Sequence, residues 1–232
     1  MKHTTTRRAL VCGGAMLLGE RRPVATVGLM TDLHYADKPP AGSRHYRETA
    51  AKIHEAVAAF HRANADISVE LGDFIDSAET VPGETDYLRR IEAEYAKFRG
   101  ERHYVLGNHC VWSLTKREFL DNCGARDAHY SFDRNGLHFI VLDACYRRDG
   151  AAYGRKNFEW TDTEIPEEER RWLAADLART RRNTIVLVHQ RLDVGGPYGV
   201  HSAGAVRRIL EQSGQVLAVF QGHNHLNDLR EI

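Results

Sequence analysis

Residues 216–225 read VLAVFQGHNH. An apolar run of five residues leads through Gln221 and Gly222 to two histidines, His223 and His225, on either side of Asn224. A short, wholly apolar run fits a strand buried on both faces, the kind found in parallel sheets. In open α/β folds the crevice outside the carboxyl ends of such strands takes the ligand. Two imidazoles at that point are a metal site only if partners exist elsewhere, because the chain holds 13 histidines.

The partners follow the same rule. NTIVLV (183–188) runs into His189, RHYVL (102–106) into GNHC, ISVEL (67–71) into GDFID, and VATVGLM (24–30) into TDLHYAD. Asp32/His34, Asp73, Asn108/His109, His189 and His223/His225 therefore each stand just past a predicted strand. Five strands deliver oxygen and nitrogen ligands to one edge. Helices are expected between them. RETAAKIHEAVAAFHRANAD (47–66) carries Ile53, Val57 and Phe60 on one face and a stop near Asn64. TDYLRRIEAEYAKFRG (85–100) is amphipathic, with Gly100 as its expected stop. PEEERRWLAADLARTR (166–181) opens with Pro166 and three acids, favourable at a helix N-terminus, and AGAVRRILEQSG (203–214) ends at Gly214. AHYSFDRNGLHFIVLDA (128–144) places Asn135-Gly136 between two strand-like runs, a hairpin signal. Strand–helix alternation interrupted by a hairpin predicts an α/β domain with mixed strand directions.

Bulk properties narrow the field. The 232 residues are enough for one large α/β domain. Lys+Arg and Asp+Glu are both 32, so no general charge attraction for nucleic acid or an anionic membrane is expected. The four cysteines form no CxxC pair, which points away from a thiolate zinc site and from a disulfide framework. At the N-terminus, Arg7-Arg8 followed by an apolar stretch resembles a twin-arginine export signal, with a disordered basic tail as the alternative for residues 1–22. A periplasmic address is expected if that signal operates and a cytoplasmic one otherwise. The body, residues 23–232, has no run long enough to span a membrane.

Two Asp, one Asn and four His make a ligand set without sulfur, suited to Zn, Fe or Mn. Seven ligands are too many for one catalytic ion with an open position and suit two ions sharing a carboxylate. The order DLH (32–34), GDFID (72–76), GNH (107–109), His189 and GHNH (222–225) resembles the calcineurin-like metallophosphoesterases over roughly residues 24–228. The resemblance implies two packed mixed β-sheets flanked by helices. It implies that Asp32, His34 and His225 hold one divalent ion, that Asn108, His189 and His223 hold a second, and that Asp73 bridges them. His109 would be the catalytic group that binds the phosphoryl and protonates the leaving oxygen. Asp76 is expected to orient ligands rather than hold metal. The implied reaction is attack of a metal-bridging hydroxide on a phosphate ester or nucleotide diphosphate.

DLHYADK, LGDFID, GNH, HYSF and FIVLD are most similar to the manganese-dependent ADP-ribose/CDP-alcohol diphosphatase branch. That branch carries Gln where His34 stands here, and His34 restores the commoner ligand of the superfamily. A small phosphorylated, nucleotide-like substrate is expected. The alternatives are a broad phosphomonoesterase, a cyclic-nucleotide phosphodiesterase, or a non-catalytic metal-binding scaffold. Relatives usually continue with further strands after GHNH, so the expectation here is either a sequence truncated at the C-terminus or an absent closing strand.

Overall fold

The computed structural model describes residues 23–231; the arginine pair at 7–8 lies outside them. Strands form where the apolar runs predicted them. A first sheet has the order β1 (Val27–Met30), β2 (Ile67–Glu70), β3 (Glu101–Tyr104), with both pairings parallel. A second has the order β4 (Tyr130–Arg134), β5 (Leu137–Val141), β6 (Thr184–Leu187), β7 (Val216–Phe220). Here β4 and β5 are the antiparallel hairpin and the rest is parallel. Mixed direction is thus confined to the second sheet. The run expected to be buried on both faces is not: β7 is the edge of its sheet, and Leu217 and Phe220 stand 60% and 40% exposed. Asn135 and Gly136 turn the hairpin with φ of 50° and 80°, as a two-residue primed turn requires.

The sheets pack face to face through Ile67, Val69, Leu71, Val105, Phe139, Val141 and Leu187. Outside the first sheet lie α1 (Thr49–Arg62), α2 (Val81–Tyr95) and α3 (Lys116–Cys123), contributing Ile53, Val57, Leu88, Ile91, Phe119 and Leu120 to the core. Outside the second lie α4 (Glu167–Arg179) and α5 (Ala203–Ser213), seated by Leu173, Leu177, Val206 and Leu210. The order of layers is helix, sheet, sheet, helix.

Two local expectations change. Helix α2 starts at Val81, where the Thr80 hydroxyl accepts from Gly83 N, and it stops at Tyr95 rather than at Gly100. Gly100 serves the turn into β3, where an added Cβ would lie 2.6 Å from the Phe98 ring. Helix α3 was not anticipated, although Thr115 and Glu118 form a reciprocal capping box at its start.

A buried carboxylate secures the loop beyond Asn108. Glu84, fully buried in α2, accepts from Ala78 N (3.0 Å), Ser113 N (2.8 Å) and Leu114 N (2.9 Å). Glu84→Ala leaves three backbone donors without a partner. It is expected to cost about 3 kcal/mol in urea unfolding of the metal-free protein. A loss below about 0.5 kcal/mol, the size of an ordinary surface change, would show that the loop does not depend on it.

Candidate metal centre

The strands end level with one another: Met30 pairs with Glu70, Glu70 with Tyr104, and Leu187 with Phe220. The loops that follow must turn at once, and they do so through left-handed backbone. Asp32 (φ 56°), His34 (45°), Asp73 (58°), His223 (76°) and His225 (53°) all adopt it. Asp, Asn and His tolerate that region best, yet each such residue costs of order 1–3 kcal/mol unless its surroundings impose it. Here cross-loop hydrogen bonds impose it. Asp32 N donates to Gly72 O (3.0 Å), His34 N to Asp73 O (2.7 Å) and Gly222 N to His189 O (2.9 Å). His223 N donates to both Asp32 carboxylate oxygens at 3.1 Å, and His109 N to Asp73 Oδ1 at 2.8 Å.

Glycine makes the close approach possible. A Cβ on Gly107 would lie 2.3 Å from both Asp73 N and Asp73 Oδ1. A Cβ on Gly72, itself at φ 100°, would lie 2.4 Å from His189 Nδ1. The glycines of GD and GN leave the volume into which the ligand of another loop fits.

Six of the seven candidate ligands fall into two clusters, and Asn108 lines the same cavity. Asp32, His34 and His225 offer atoms within 4.8 Å of one another, as do Asp73, His189 and His223. His34 Nε2 is 3.1 Å from His225 Nε2, which is 3.3 Å from Asp32 Oδ1. Asp73 Oδ2 is 3.2 Å from His189 Nε2 and 3.7 Å from His34 Nε2, so one carboxylate oxygen faces both clusters. A third combination, His34 with Asp73 and His109, meets the same distance condition.

Unpartnered polar atoms mark where a cation fits. Asn108 Oδ1, His189 Nε2 and His223 Nε2 are buried with no hydrogen-bond partner, an arrangement that folded proteins avoid without a reason. Burial pushes the Asp73 carboxyl up, but the nearby imidazoles of His189, His109 and His34 outweigh it and hold it well below the usual range. Burial pulls His189 down, but Asp73 and Asp32 push it up to about 9. Burial, reinforced by His189, holds His223 down at about 4, so its ring is neutral and free to coordinate. A buried carboxylate pair facing one protonated ring is a site where a divalent cation can replace the proton.

Asp76 lies against this centre. It accepts from Lys38 Nζ (2.8 Å), Arg44 Nη1 (3.1 Å) and Ser77 N (2.7 Å). Its oxygens lie 3.3 Å from His34 Nδ1 and 3.6 Å from His109 Nδ1. Burial raises its carboxyl, but the partners His109, His34 and Lys38 prevail and hold it far below the usual range. One carboxylate thereby faces the Nδ1 edges of two histidines.

The centre opens into a cavity of about 300 Å³. Asp73, Asn108, His109, His223 and His225 line it, together with four residues that sequence reasoning did not select: Arg44, Trp160, Tyr198 and Asn224. Asn224, between the two histidines of GHNH, reaches the wall. No motif surrounds Arg44, Trp160 or Tyr198, so no local signal could have found them. Three other histidines of the described residues lie elsewhere. His138 lies 2.8 Å from Asp133 and from Asp176, His103 stacks on Phe132 at 3.7 Å, and His201 lines a separate cavity with Arg148 and Asp162. Tyr35, next to His34 in sequence, is buried in the core of the first sheet, and Cys110 is also packed there.

The comparisons with known proteins agree with this geometry. The calcineurin-like phosphoesterase family model matches residues 25–227. A manganese-dependent ADP-ribose/CDP-alcohol diphosphatase of Oryza sativa subsp. japonica is 23% identical over 262 aligned positions, covering 93% of this chain and 82% of that protein. One of the same name from Arabidopsis thaliana is 26% identical over 132 positions, covering 53% of this chain and 42% of the relative. A dimetal phosphatase from Danio rerio has the same fold, with a TM-score of 0.76 at 21% identity, covering 88% of this chain and 82% of that one. The helix, sheet, sheet, helix arrangement is thus shared with a dimetal phosphatase, and the family match runs through almost the whole body. The chain belongs to the calcineurin-like phosphoesterase family and is a metal-dependent hydrolase of phosphate ester or diphosphate bonds.

Proposed function

We propose that the chain is a dinuclear, manganese-using diphosphatase of small nucleotide-like substrates. The observation that carries the reading is Asp73 Oδ2, set between His189 Nε2 at 3.2 Å and His34 Nε2 at 3.7 Å with a ligand cluster on either side. Asp32, His34 and His225 hold one ion; Asn108, His189 and His223 hold the other; Asp73 is shared. The unpartnered atoms of Asn108, His189 and His223 fit that assignment. When bound, the ions acidify a water and offset charge on the phosphoryl oxygens. His109, on the cavity wall with Nδ1 3.6 Å from Asp76, binds the phosphoryl group and gives a proton to the leaving oxygen. Arg44, pinned to Asp76 and lining the same cavity, adds a fixed positive charge beside the phosphate. Support for diphosphate substrates and for manganese comes from the names of the curated relatives, of which the rice protein is covered over 82% of its length. The arginine pair at 7–8 supports export as the setting.

The test is a panel of ADP-ribose, CDP-choline, cyclic AMP and p-nitrophenyl phosphate with metal-depleted and Mn-loaded protein. Activity is expected only with metal, and highest kcat/KM is expected on the two diphosphates. Hydrolysis by fully demetallated protein would sink the metal reading. Equal or better turnover of the monoester would replace the diphosphatase with a phosphomonoesterase.

A further inference from the structure

Trp160 and Tyr198 are large aromatic residues, yet they stand 41% and 43% exposed in the cavity wall. Their ring centroids are 5.3 Å apart with planes inclined at 49°. Both approach the same ligand histidine: His223 lies 6.1 Å from Trp160 and 5.8 Å from Tyr198. They come from separate loops, one between β5 and α4 and the other between β6 and α5, and each loop is tied down. Tyr153 OH donates to Asp162 O (2.6 Å), Arg191 N donates to Tyr198 O (3.3 Å), and His201 N donates to Thr163 O (2.9 Å), which joins the two loops. Anchored backbone that leaves two ring systems half open toward a phosphate-binding centre needs a reason, because burying them would stabilise the fold.

We propose that Trp160 and Tyr198 form a stacking platform for a planar base on the substrate, so that the enzyme selects nucleotide esters by an aromatic contact beside the metal centre. The proposal deepens the phosphohydrolase reading above and rests on it for the placement of the phosphate. Stacking suits this site because every base has a flat face, so the platform favours nucleotides over sugar phosphates without choosing among bases. The apolar rings also leave the base edge open, consistent with tolerance for both purine and pyrimidine.

Calorimetric titration of Mn-loaded protein with AMP and with ribose 5-phosphate isolates the base. Native protein is expected to bind AMP at least about tenfold more tightly, within the range for one stacked base. In Trp160→Leu/Tyr198→Leu the two ligands are expected to bind within about twofold of each other. Trp160→Phe, which keeps a ring, should retain most of the preference. Equal binding of the two ligands by native protein overturns the platform, and so does an AMP preference that survives in the double variant. Hydrolysis of the substrate panel is scored separately. A chain that binds AMP in this ring-dependent way but cleaves no ester refutes the diphosphatase reading, whereas a chain that cleaves esters with no base preference refutes the platform alone.

Discussion

Asp73→Ala is expected to empty both halves of the centre and lower kcat by at least about a thousandfold. The carboxylate is 2% exposed and faces His34 and His189 with one oxygen while the other accepts from His109 N at 2.8 Å. Its removal takes away the anion common to both clusters. It also frees the backbone of the GNH loop, so Asn108 and His109 lose their register with the remaining ligands. Metal content by elemental analysis and single-turnover rates read the two consequences independently. Retention of two equivalents of manganese would show that Asp73 is not the shared ligand.

His109→Ala separates chemistry from metal binding. Loss of a positioned proton donor costs about 10²–10⁴ in rate, so kcat should fall by roughly that factor while metal content stays at two equivalents. The geometry makes this a sharp test, because His109 also lies within ligand distance of His34 and Asp73. If the variant loses one equivalent of metal, His109 is a ligand. If kcat is unchanged, its role as proton donor is wrong. Substrates with a good leaving group, such as p-nitrophenyl esters, should suffer less than alkyl diphosphates, since they need less help from an acid.

The candidate ligands were readable because each stands just past a strand-forming run, and this held even for β7, which lies exposed at the edge of its sheet. The two-residue hairpin turn was readable for a similar local reason: Asn135 and Gly136 both adopt positive φ. Helix α3 carries an equally local signal in Thr115 and Glu118, but the residues around them lack a long apolar periodicity. The stop of α2 was misplaced for the opposite reason. Gly100 looks like a helix end, but its lack of a side chain answers to the Phe98 ring and not to a left-handed cap.

The other features depended on residues that meet across the chain. His34 and His225 are 191 positions apart and their nitrogens lie 3.1 Å from each other. Nothing local in GHNH says which of its two imidazoles joins which cluster; left-handed backbone at His223 and His225 sends them to different ones. Asp76 was expected to orient ligands, but its hold on Lys38 and Arg44 as well as two histidines emerges only when four loops are packed together. The aromatic wall of Trp160 and Tyr198 lay beyond sequence reasoning altogether. Ligand type and strand order follow from short-range pattern, because a side chain's chemistry and a strand's burial are written within a few residues. The placement of Asp73 between His34 and His189, the position of His109 in the wall and the shape of the cavity arise from the packing of two sheets whose loops must fit one another, and that fit is a property of distance in space.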